Sequence, residues 1–118
     1  MALIYKICPR PLWEEARVHG VLRGAPVDLA DGFIHFSTAA QVRETAAKHF
    51  RGRSDLVLLA IDEAALGAAL VYEPSRGGAL FPHLYAPLPV SAVLRADPLP
   101  LDAEGGHYFG GLVPEDGA

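Results

Sequence analysis

Asp55-Leu56-Val57-Leu58-Leu59-Ala60-Ile61-Asp62 is an apolar run closed at each end by an acid. It leaves no polar side for solvent, and it is too short for a helix of ordinary length. It therefore reads as a strand buried on both faces, the centre of a sheet. Leu3 to Cys8 reads as a second strand, with Tyr5 and Ile7 on one face and Ile4, Lys6 and Cys8 on the other. Pro9 ends it. Pro11 at a first helical position, acids after it, Arg17 and His19 near the end and Gly20 beyond predict a helix. Leu12, Trp13 and Ala16 form its buried stripe.

Val21 to Asp31, with Gly24 and Pro26, reads as a turn-rich connection. Phe33-Ile34-His35-Phe36-Ser37 reads as a short strand. Thr38-Ala39-Ala40-Gln41 reads as a capping box opening a second helix to about Phe50, with Val42, Ala46 and Phe50 along one face. Glu63 to Ala68 reads as one helical turn, and Ala69 to Glu73 as a strand stopped by Pro74. Phe81 to Tyr85 is extended, but its proline argues against a central strand. Pro89 to Arg95 reads as the last strand. The expectation is an α+β fold in one domain over residues 1–118. Its compact core covers about 2–97, and a C-terminal extension, 98–118, is partly mobile.

The 118 residues carry a net charge of −4, which argues against a nucleic-acid binder, whose footprint would be basic. Hydrophobic residues make up 51%, enough for a core, yet no stretch is long and apolar enough to span a membrane. The N-terminus lacks the pattern of a secretory leader, so the expected location is cytoplasmic. Cys8 is the single cysteine, and it reads as a small buried hydrophobe. Phosphate-loop, dinucleotide-fingerprint, His-Glu-x-x-His and paired-cysteine signatures are all absent.

What remains is a sparse set of polar residues in apolar strands. Alternation puts Phe33, His35 and Ser37 on one face. An imidazole there can bond a ribose hydroxyl or move a proton, and it can equally be a structural histidine bonded to backbone. Ser37 and Thr38 alone read as caps. Glu73 is either a ligand for sugar hydroxyls or an exposed edge charge. Phe81, His83 and Tyr85 project together, forming either a face for a planar ring or a hydrophobic segment with wet polar tips. His35, His83, His107 and Glu73 share no ligand spacing, so no metal is expected.

Ile4-Tyr5-Lys6, Gly32 to Thr38, Tyr72-Glu73 and Phe81 to Leu88 together resemble the bacterial domain-of-unknown-function family 952, over about Ile4 to Leu94. That family is in turn similar to the ADP-ribosyltransferase-like fold, a mostly antiparallel split sheet flanked by two main helices and framing a cleft for NAD. Lys6 stands near the place of that fold's first-strand Arg or His, and it is neither. The resemblance implies that His35, Glu73 and His83 are catalytic and that Ser37, Thr38, Phe81 and Tyr85 bind substrate. NAD would be a substrate and no cofactor would be required. The implied activity is ADP-ribosyl transfer or NAD hydrolysis. The alternative is a non-catalytic module binding a small molecule or a protein on the same fold. A hydrolase with His35 or His83 as base lacks a nucleophile, since Ser37 sits near a helix start.

Overall fold

A computed structural model describes residues 2–114. The acid-bounded run forms β5 (Leu56–Asp62), which pairs antiparallel with β1 (Leu3–Pro9) on one side and β9 (Val93–Leu99) on the other. With β4 (Ser37–Thr38) beyond β1, these make a four-stranded sheet of order β4-β1-β5-β9. Alternation along β5 and β1 divides the core in two. Val57, Leu59 and Ile61 join Ile4 and Cys8 on one face, under Trp13 and Ala16 of α1 (Arg10–His19). Leu56, Leu58 and Ala60 join Tyr5 and Ile7 on the other, under Val42 and Ala46 of α3 (Val42–His49). Leu99, Phe109 and Val113 belong to this second cluster, so the core extends beyond the limit expected near residue 97. Residues 115–118 of the expected extension lie outside the described residues.

α1 ends at Gly20, whose left-handed φ of 85° lets its N–H reach Ala16 O. The connection expected over Val21–Asp31 contains structure of its own. Val21–Leu22 is β2, paired with β8 (Leu88–Pro89), and Pro26–Asp31 is a short helix, α2. Pro26 at its start and Gly32 after it are ordinary helix punctuation. Six residues are too few to display an apolar stripe, which is why the periodicity is silent here.

The single strand expected from Phe33 to Ser37 is instead broken at Phe36. Ile34–His35 is β3, which pairs with β7 (Leu80–Leu84) in a second sheet of order β3-β7-β6, where β6 is Leu70–Pro74. Ser37 and Thr38 pair with Tyr5 and Ile4 in the first sheet. The two sheets part at this point. The expected helix start at Thr38 is also displaced. Thr38 is in β4, its N–H donates to Gln41 Oε1 at 3.1 Å, and α3 begins at Val42.

β7 is the central strand of the smaller sheet although it contains Pro82, contrary to the sequence expectation. The Pro82 carbonyl accepts from Phe36 N–H at 3.0 Å, on the β3 side. The missing N–H faces that same side, where β3 has already ended, so no ladder bond to β6 is lost. The last strand is also shifted. Val90–Ala92 is a 3-10 turn, and β9 runs from Val93 through Pro98, on the edge position where proline is tolerated. Among the described residues no helix is long and apolar enough to cross a membrane.

Leu59 is fully buried at the middle of β5. Leu59→Ala is expected to lower the unfolding free energy by about 2–5 kcal/mol, read from urea denaturation midpoints.

Candidate functional site

β4 pairs with Ile4 and Tyr5, so beyond Tyr5 the edge of β1 has no strand beside it among the described residues. A cavity of about 550 Å³ opens against that edge, between the two sheets. Tyr5, Lys6 and Ile7 form part of its wall. His35, Ser37, Phe81 and His83 line it from β3, β4 and β7, and Asp28, Asp31 and Arg53 are among the other polar residues of its wall.

Asp28 organises this wall. It is 2% exposed, and its carboxylate takes every donor that such a group can accept. Oδ2 accepts from Lys6 Nζ at 2.9 Å and from Ala25 N–H at 2.7 Å. Oδ1 accepts from His35 N–H at 3.1 Å and from His35 Nδ1 at 2.6 Å. Burial pushes this carboxyl up, but the His35 hydrogen bond, the Lys6 ammonium and the Ala25 N–H outweigh it and hold the group at about 2. Lys6, itself only 6% exposed, also donates to His35 O at 3.0 Å. Gly24 makes room for the carboxylate. A Cβ there would lie 2.7 Å from Asp28 Cβ, and its φ of 127° is one that residues with a side chain rarely adopt.

His35 Nε2 lies 3.0 Å from Asp31 Oδ2, so a carboxylate faces each ring nitrogen. His83 stands directly across the sheet from His35, with ring centroids 5.5 Å apart. Its Nδ1 lies 2.8 Å from Glu73 Oε1, and the Tyr85 hydroxyl donates to the same oxygen at 2.8 Å. These two donors draw the Glu73 carboxyl below its usual range, and Glu73 in turn pushes the Tyr85 hydroxyl up. Phe33 stacks on the His83 ring at 4.1 Å and leans on His35 and Tyr85.

Thr38, Glu73 and Tyr85 do not line the cavity. Register explains Glu73: it pairs with Phe81 and Val71 pairs with His83, so its carboxylate reaches diagonally behind the His83 ring. Tyr72 points the other way, and its hydroxyl donates to Glu63. Burial and that carboxylate push Tyr72 up to about 12. Burial likewise raises the Cys8 thiol to about 11, which removes it as a nucleophile. Asp28 and its pairing with Lys6 were not legible in the sequence. Pro26 and Gly32 could have revealed α2, but nothing local marks its acid as buried.

Residues 7–96 match the model of a family described as "Protein of unknown function (DUF952)". The chain is similar to the crystal structure of protein CC0527 from Caulobacter crescentus, at 56% identity and a TM-score of 0.88, covering 92% of this chain and 95% of that one. The solution NMR structure of CC0527 agrees, at 54% identity and a TM-score of 0.86, covering 96% and 97%. Among curated proteins, none matches the chain.

Asp28→Ala strands a buried Lys6 ammonium without its carboxylate. It is expected to cost about 3–5 kcal/mol of stability, read by chemical denaturation. The pH dependence has a definite sign, because the folded-state carboxyl sits below its unfolded value. Its contribution, roughly 2 kcal/mol, is present above pH ~4 and is lost as pH falls through about 2. Asp28→Asn should flatten that acid limb of the stability profile.

Proposed function

The chain belongs to the DUF952 family, and from the site it carries we propose that it binds a nucleotide of the NAD type in the cavity between its sheets and cleaves the bond joining nicotinamide to ribose. The observation that carries this reading is the convergence of His35, Ser37, Phe81 and His83, from separate strands, on one cavity of about 550 Å³. That volume is in the range of small-molecule sites. Phe81 in the cavity wall would meet a planar ring. Ser37 Oγ donates to Thr45 Oγ1 at 3.1 Å and so keeps its lone pairs for a ribose hydroxyl. Arg53, exposed at the rim, is placed for phosphate. Cleavage of the C1′–nitrogen bond passes through an oxocarbenium-like centre, which the Asp31 carboxylate in the cavity wall would stabilise.

Two observations favour a second reading, a binding module without catalysis. Glu73 turns its carboxylate to His83 and Tyr85 and not into the cavity. The Lys6 charge is compensated by Asp28, so it is a weak handle for a diphosphate. Thermal melts with millimolar ADP-ribose or NAD separate these readings from no nucleotide site at all. A ligand at 100 times its dissociation constant adds about 2.7 kcal/mol, a rise in Tm on the order of 10 °C for a chain of this size. No shift sinks the nucleotide reading. A shift without nicotinamide release supports the module. His35→Ala is expected to keep a cooperative transition and to lose the ligand-induced shift.

A further inference from the structure

The geometry points to a division of labour between Glu73 and His83: His83 Nε2 is the base that accepts the proton of the attacking water, and Glu73 is the positioning residue that makes it one. This rests on the nucleotide-cleaving reading above and gives that site its proton acceptor.

Glu73 Oε1 lies 2.8 Å from His83 Nδ1 and takes a second donor, the Tyr85 hydroxyl, at 2.8 Å. A carboxylate oxygen only accepts, so Nδ1 carries a ring proton, and in the neutral ring Nε2 then holds the lone pair. His83 is 4% exposed and lines the cavity, and its Nε2 has no hydrogen-bond partner among the described residues. Buried polar atoms are paired as a rule. An unpaired acceptor in a cavity wall is therefore a seat for a donor brought by ligand or water. Phe33, stacked on the ring at 4.1 Å and 27°, holds the plane of the imidazole. His35 cannot take this part, because a carboxylate occupies each of its nitrogens. Of the two cross-strand histidines, only His83 keeps a lone pair to offer.

The step balances with water as the co-reactant. The C1′–nitrogen bond breaks and its electron pair goes to the nicotinamide ring, cancelling the pyridinium charge. The water oxygen bonds C1′, and its proton passes to His83 Nε2. The imidazolium formed is held by the Glu73 carboxylate and returns its proton to solvent. The products are nicotinamide, ADP-ribose and one proton.

Nitrogen NMR of the histidine side chains, on the full chain, tests the positioning directly. The expected result is the Nδ1–H form of His83 in the free protein, with the Nε2 signal moving on addition of ADP-ribose. Glu73→Gln should release the preference for that tautomer and slow NAD cleavage roughly 100-fold or more with KM unchanged. Tyr85→Phe should keep the tautomer. His83→Gln should slow cleavage by about 100-fold or more, a loss well beyond any loss of ADP-ribose affinity. An Nε2–H form in the free protein, a Glu73→Gln variant with normal turnover, or cleavage surviving in His83→Gln overturns the assignment. ADP-ribose binding without nicotinamide release by the unaltered chain also overturns the base and leaves the binding cleft standing. No ADP-ribose binding removes the nucleotide reading itself, and the base with it.

Discussion

A single carboxylate, that of Asp28, ties together the segments that meet where the two sheets separate. It receives the Lys6 ammonium from β1, the Ala25 N–H from the start of α2, and both the backbone N–H and the ring of His35 from β3. A buried charge is costly unless its partners are complete, and here they are. The network therefore acts as a geometric clamp more than as a source of net stability. It fixes α2 against the sheet junction and sets the plane of His35. It also compensates a lysine buried at the back of the cavity.

The clamp is needed because of how the chain changes sheets. β3 and β4 are separated by Phe36 alone, yet they belong to different sheets. Phe36 anchors the switch twice, through its buried side chain and through its N–H on Pro82 O. Among the described residues the split leaves part of one edge of β1 without a strand beside it, and the cavity forms there. Unpaired strand edges are ordinarily covered or blunted. Here the cover is made of α2, Asp28 and the histidine-bearing strands, so the polar lining and the protection of the edge come from the same residues.

Two histidines facing one another across a sheet would be redundant if their surroundings were alike. They are not. His35 lies between two carboxylates, whereas His83 has one carboxylate behind it and a nitrogen unpaired among the described residues. Neighbours of this kind are what separate donor from acceptor roles in otherwise identical side chains. Glu73 is half of that difference, although its own side chain stays out of the cavity.

The sequence by itself determined the parts of this protein that depend on short-range pattern. The unbroken apolar run of β5, the alternation of β1, the proline and glycine limits of α1 and the Val42-Ala46-Phe50 spacing of α3 each follow from residues a few positions apart. His35, Ser37, Phe81 and His83 were visible as polar or aromatic residues out of place in strands. Tertiary structure alone decided that Lys6 pairs with Asp28, that Pro82 fits a central strand because β3 is short, and that Glu73 serves His83 from behind. Each of these depends on which distant segments are brought side by side and in what register. A buried ion pair or a cross-strand diagonal leaves no local trace, because its energy arises only when burial removes water from both partners at once.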